Sequence, residues 1–126
     1  LRREKRLSER IVQSLPIGLV VHDRNGDVIL TNDRANEILG TTQAELNADE
    51  YESGSWKLRD ADGEPVSYDR LPFTRVAAGE DLRDEPYTVL TRDGDVKQTV
   101  VSGARIRDED DELTAVIIPF RVVGEE

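Results

Sequence analysis

Apolar positions recur along this chain at two different periods. In the opening stretch "LRREKRLSERIVQSL", Leu7, Ile11 and Leu15 stand four apart with Val12 beside them, the narrow stripe of an amphipathic helix. Pro16 ends that pattern, and β-rich runs take over, punctuated by acidic turn signals: "DRNGD" at 23–27, "DADGE" at 60–64, "RDGD" at 92–95 and "RDEDDE" at 107–112. Asn-Gly and Asp-Gly supply the positive φ that tight hairpins demand, so the flanking runs should pair antiparallel. The pattern predicts main strands at 18–23, 27–32, 86–92, 96–106 and 112–122, with a small extra hairpin containing Trp56 around 60–64. Between the second and third main strands, "NDRANEILG" places Ala35, Ile38 and Leu39 on one side of a helix that Gly40 stops. Asn32 is its expected N-cap. Thr42 with Glu45 forms a capping-box pattern for a second short helix. A third helix should start at Asp69, take Pro72 in its first turn, bury Leu71, Phe73, Val76 and Ala77, and end at Gly79. The class is α+β.

Composition adds bounds. At 126 residues, one domain with one core is expected. Leu1 is not an initiator Met and the chain has no Met at all, which suggests a segment of a longer polypeptide. No run approaches the roughly 18 apolar residues of a membrane span, and the first fifteen residues are too charged for a secretory signal. A soluble, cytoplasmic segment without membrane contact is expected. The 27 acidic against 17 basic residues give −10, which opposes nucleic-acid phosphate and anionic lipid alike. Only Lys5, Lys57 and Lys97 are lysines; a surface so rich in acid and poor in Lys suits the concentrated salt of a halophile's cytoplasm. The lead carries five basic against two acidic residues over positions 1–10 and so differs in sign from the rest. With no cysteine and one histidine, disulfides, thiolate metal sites and multi-His sites are excluded within one chain.

Gly18, Val20, Val21, Asp23, Gly26, Val28, Asn32, Ala35, Leu39 and Gly40, then a helix ending "AAGE", then "TRDGDVKQTVVSGARIRD" before a last apolar strand, form an ordered set that resembles a PAS domain, the sensory-box module. The similarity spans roughly residues 11–121. It implies a five-stranded antiparallel sheet with short helices over one face, a cavity between them, and service as an input or relay domain in histidine kinases, chemotaxis-type transducers and related regulators. The expected parts are a flanking helix at 1–15, the PAS domain at 16–122 and a C-terminal junction at 123–126. One departure is the end of the last strand, where "IIPFRVVGEE" stands in place of the Asp-Ile-Thr signature of many PAS domains.

The last strand alternates Leu113, Ala115 and Ile117 with Val116, Ile118 and Phe120, so both of its faces are apolar and both need covering. The stripe of Leu7, Ile11 and Leu15 is the candidate lid or dimer contact for the outer face, with Val116, Ile118 and Phe120 opposite it. By similarity to PAS domains, the ligand face is Leu113, Ala115 and Ile117, beside Thr99, Val101 and Gly103 and then Tyr87 and Val89. Val20, His22, Leu30, Leu39, Trp56, Phe73 and Val76 complete the candidate ligand-binding set. A slip of one residue in the long strand would exchange its faces. Gly103 either leaves room in a cavity or relieves a bend, and His22 either contacts a ligand or is satisfied within the core.

Other chemistries lack parts. Thiol-adduct flavin relatives need a cysteine and haem-binding relatives usually carry a histidine on the helix at 69–79; this chain has neither. No cofactor is therefore expected, a small organic ligand aside. A catalytic triad, a P-loop and a glycine-rich dinucleotide turn are missing, and the acidic turns lack EF-hand spacing. Two functions remain: a sensor of a small, mostly apolar molecule, aromatic ones included, that relays to an output domain of the same polypeptide, or a ligand-free PAS domain acting as a homodimerisation and relay element.

Overall fold

The computed structural model describes residues 10–42, 44, 57–91 and 93–125. Residues 10–14 are helical and stop just before Pro16. β1 (Gly18–Asp23) and β2 (Val28–Thr31) follow, then α1 (Asp33–Leu39), β3 (Lys57–Arg59), a 3-10 turn (Tyr68–Arg70), α2 (Pro72–Ala77), β4 (Leu82–Leu90), β5 (Val96–Arg107) and β6 (Leu113–Glu125). The strands form one antiparallel sheet in the order β2-β1-β6-β5-β4-β3. This is six strands where five were expected, because Lys57–Arg59 adds to β4. The extra hairpin reduces to one bridge, Arg59 to Pro65, across the turn at 60–64. Trp56, Leu7 and the Thr42–Glu45 capping box lie wholly or partly outside the described residues. Among the described residues no helix is long and apolar enough to cross a membrane.

One backbone solution closes four turns. At 23–27, Asp23 N donates to Asp27 O and Gly26 N to Asp23 O, with Gly26 at φ 94°; Asp23 Oδ1 accepts from the amides of Asn25 and Asp27. The turns beginning at Asp60 and Asp108 repeat both carboxylate bonds, and the one at Thr91 uses its hydroxyl as acceptor for Asp95 N. These are three-residue loops whose last residue is left-handed, the G1-bulge hairpin. The first acid of each acidic turn is therefore a backbone acceptor. Gly63 and Gly94 occupy the left-handed position in two of the others, at φ 80° and 88°; the fourth turn has Asp111 there, at φ 63°.

The expected third helix divides. Leu71 precedes Pro72, whose ring disfavours helical ψ at the residue before it, and Leu71 is extended with ψ 153°. The chain makes a 3-10 turn first and then starts α2 with Pro72 in its first turn. β4 begins at Leu82, earlier than expected, because a bulge between Leu82 and Glu85 carries the pairing past Asp84. Asp84 sits at φ 48° and its amide donates to Ser102 Oγ.

The helices cover one face of the sheet, and cross-strand partners identify it. Val20 opposes Ile118 and His22 opposes Val116; Phe120 opposes Val101, and Tyr87 opposes Thr99. Partners share a face, so Val116, Ile118 and Phe120 lie on the helix side. Ala115 and Ile117 lie on the other face, opposite Ile106 and Ala104, and Leu30 pairs with Val21 on that face too. The expected assignment for β6 is thus inverted from Ala115 to Phe120, whereas Leu113, on the far side of a register shift, packs against the core as expected; Leu30 lies on the open face. The shift at Ile106/Arg107 produces the exchange: Arg107 pairs with Leu113, but from Ile106–Ala115 onward each β5 residue meets the β6 residue one place further along. Pro119 stands inside a central strand. The β5–β6 ladder is broken there, with no paired residues between Val101–Phe120 and Ala104–Ile117, which accommodates the missing amide.

Two glycines admit close neighbours on the covered face. A Cβ at Gly103 would collide with Val76 Cγ2 of α2 and stand 3.2 Å from Ile118 Cδ1, while one at Gly18 would stand 2.7 Å from Phe120 Cζ. Gly103 therefore makes neither an empty niche nor a bulge in its own strand; it lets α2 settle onto the sheet. Gly103→Ala should destabilise the fold by about 1–3 kcal/mol, and adding Val76→Ala should make the double variant more stable than the sum of the single losses. Urea unfolding of the four proteins checks both. At the other end of the sheet, Asp111→Gly should raise stability by about 0.5–1 kcal/mol, since glycine removes the left-handed penalty. Only an exposed 3.8 Å contact to Arg107 is lost with the carboxylate.

Candidate functional site

The space between sheet and helices is where the sequence placed its ligand-binding set. Val20, Leu39, Val76, Tyr87, Val89, Thr99 and Val101 are all buried in it. His22 and Phe73 are partly buried at its rim, and Gly103 forms part of its floor under Val76. Ala115, Ile117 and Leu30 are directed away. Of the proposed lid, Leu15 is partly buried and Ile11 is 52% exposed.

His22 is held on two sides. Its Nδ1–H donates to Gly26 O at 3.0 Å, and its ring lies 4.7 Å from that of Phe73 at a 40° tilt. The same phenyl ring lies 3.2 Å from where a Gly26 side chain would begin. The β1–β2 turn, His22 and α2 thus meet at Phe73. Burial pushes the imidazole pKa below its ordinary 6.5, against smaller upward pulls from the Gly26 carbonyl and Asp23. At neutral pH the ring is uncharged and donates through Nδ1.

Arg75 ties the flank of α2 to the sheet, and sequence periodicity gave no sign of it, because a guanidinium beside an apolar helix face reads as solvent-facing. Its Nη1 donates to Tyr87 Oη at 2.6 Å; Nε and Nη2 reach Glu80 Oε1 at 3.2 and 3.1 Å, and Nη2 reaches Glu85 Oε1 at 3.4 Å. Burial alone would lower the Arg75 pKa, but its bonds to Glu80 and Tyr87 outweigh that and raise it. Burial also raises the Tyr87 phenol, against the pull of Arg75, so Tyr87 remains neutral. Thr99 Oγ1 donates to Tyr87 O at 2.8 Å. The phenol oxygen is already an acceptor for the protein's own cation.

Two further cations grip helix ends. Lys97 Nζ donates to the carbonyls of Glu37 and Ile38, at 3.0 and 3.2 Å, and so caps the C-terminus of α1 from β5. Arg105 Nη1 does the same for α2 through Val76 O at 3.0 Å and Glu80 O at 3.3 Å. Beside Arg105, a groove of about 520 Å³ runs between Leu82, Arg83, Ser102 and Arg107. Asp81 lines it too and faces Arg105 at 3.6 Å, so its charge is mixed in sign. Among the described residues no three His, Cys, Asp or Glu side chains converge on a common point suited to a metal ion.

With this geometry in hand, comparison with known proteins is direct. The family model described as the PAS fold matches residues 6–53. Among solved structures, the PAS domain of an HTR-like protein from Haloarcula marismortui is similar over 97% of this chain and 98% of its own, with a TM-score of 0.63 at 21% identity. A domain of a sensory box sensor histidine kinase/response regulator from Geobacter sulfurreducens covers 94% and 93% of the two chains, with a TM-score of 0.63 at 19% identity. The PAS domain of nitrogen regulation protein NR(II) from Vibrio parahaemolyticus covers 93% and 98%, with a TM-score of 0.61 at 13% identity. No curated protein sequence matches the chain. The sheet with its helices over one face, the matched family model and these end-to-end structural likenesses agree: the chain is a PAS-fold domain.

Proposed function

We propose that this domain is an input-and-relay module of a larger signalling protein, working without a resident ligand. Its partners on this reading are a second copy of the chain and an output domain of the same polypeptide. The observation that carries it is the seating of Val76 in the niche above Gly103, where a ligand would need room. His22 Nδ1 and the acceptor side of Tyr87 Oη are already taken up, by Gly26 O and Arg75. Structural relatives whose names include a sensor histidine kinase and a nitrogen regulation protein support the signalling context.

A second reading, a bound small molecule, is favoured by one atom. Asn36 Oδ1 is buried and has no hydrogen-bond partner, and an unmet buried acceptor costs about 1–3 kcal/mol. A ligand that brought an N–H or O–H donor to this atom would satisfy it.

Mass spectrometry of compounds released from purified, denatured protein, with a thermal-shift screen of aromatic and carboxylic molecules, separates the two. The relay reading expects no stoichiometric compound and no rise in melting temperature; a stoichiometric release would replace it with the sensing one. The commitment of His22 to the core has its own signature. Because the folded pKa lies below 6.5, the unfolded chain binds a proton that the folded chain refuses. His22 burial is therefore fully tolerated above pH 6.5, and stability falls below it by up to about 1.4 kcal/mol per pH unit until the folded pKa is reached. Urea unfolding between pH 8 and 5.5 should show that loss, and His22→Phe should flatten it, since the chain has no other histidine.

A further inference from the structure

The carboxamide of Asn32 is completely buried, and it serves more than the N-cap that its position suggests. Oδ1 accepts from Ala35 N at 2.8 Å, the capping bond of α1, and from Leu19 N at 2.9 Å on β1. Nδ2 donates to Val12 O at 3.2 Å and Ile17 O at 2.9 Å, on the lead helix and the connector that follows it. All four hydrogen-bonding positions of the amide are thereby filled. Beside it, Asp33 N, the first amide of α1, donates to Gln13 Oε1 at 2.8 Å. The lead thus supplies an acceptor to α1 directly, and Asn32 joins lead, β1 and α1 through a single planar group.

We propose that Asn32 and Gln13 form a clasp through which the lead helix and α1 order or loosen as one unit, so that displacement of the lead loosens the N-terminus of α1. This deepens the relay reading by naming the element through which a flanking movement enters the domain. The clasp couples the two segments because neither can leave without stranding a buried partner: if the lead withdraws, Nδ2 of Asn32 loses both acceptors, and turning the amide to recover water would release Ala35 N and Leu19 N. α1 has only seven residues, too few to hold itself without external bonds.

Hydrogen exchange on the whole 126-residue chain tests this, whether or not the domain signals. Asn32→Asp keeps the two acceptor roles of Oδ1 but removes the donor to Val12 and Ile17; Gln13→Ala cuts the second tie at an exposed residue without touching the core. The reporters are the amides of Asn36 and Gly40, which bond within α1, and Leu15 N, which bonds within the lead. Amides of β4 and β5 are the reference. In Gln13→Ala, exchange at Leu15 and Asn36 should rise together by at least about threefold, and in Asn32→Asp by about tenfold, ratios that match the loss of part or all of one hydrogen bond, with β4 and β5 unchanged. Faster exchange at Leu15 with Asn36 and Gly40 unaltered in Gln13→Ala would show two independent segments and overturn the clasp. No change at either segment would overturn it as well. If Asn32→Asp loosens β4 and β5 too, Gln13→Ala alone decides.

Discussion

A single buried carboxamide sets the geometry on which the rest of the domain depends. Asn32 lies where the first hairpin returns to the base of the sheet, and its own backbone continues the pairing, with Asn32 N donating to Leu19 O at 3.1 Å. From that fixed point its side chain caps α1 and holds the incoming chain. Few other residues could do this: a hydroxyl lacks the second donor, a carboxylate has none, and glutamine is a methylene too long for a cap. Once α1 is started correctly, Ala35, Ile38 and Leu39 meet the sheet and Lys97 can reach the helix's last carbonyls. The roof is thus pinned at both ends by polar contacts and in the middle by apolar ones.

The second helix obeys a different logic. α2 is short and lacks a side-chain N-cap, so its position comes from what lies beneath it and at its end. Gly103 lets Val76 approach the floor, Arg105 takes the terminal carbonyls, and Arg75 ties the flank to Tyr87. Phe73 adds the link to His22 and the first turn. The gap in the β5–β6 pairing at Pro119 falls directly beside Gly103, where Val76 of α2 packs closely over the sheet. Side-chain packing substitutes there for the ladder.

Much of the fold was legible in the chain. Asn32, Gly40 and the spacing of Ala35, Ile38 and Leu39 define α1, and the glycines after acidic residues mark the hairpins, because these signals act within a few residues. The faces of β6 were not legible. With Leu113, Ala115 and Ile117 as apolar as Val116, Ile118 and Phe120, alternation carries no direction, and the register shift at Ile106/Arg107 that decides it leaves no local trace. The same limit hid Leu30's true side, the added strand at Lys57, and the reach of Arg75 to Tyr87, of Lys97 to α1 and of Arg105 to α2, each spanning at least twelve residues of chain. Asn32 shows both cases in one residue. Its bond to Ala35 could be read from position alone, whereas those to Val12 and Ile17 depend on how the lead folds back.

Gly18 and Phe120 carry an implication for how such a chain can diverge. The phenyl ring occupies the place where a side chain at position 18 would stand, so the two positions share one volume across the β1–β6 pair. A larger residue at 18 is compatible with the fold only beside a smaller one at 120, and the exchange can leave total volume and stability almost unchanged. Structural likeness persists here to 13% identity. What descent must preserve in this region is a sum over two strands, and a residue-by-residue alignment would record its conservation as change.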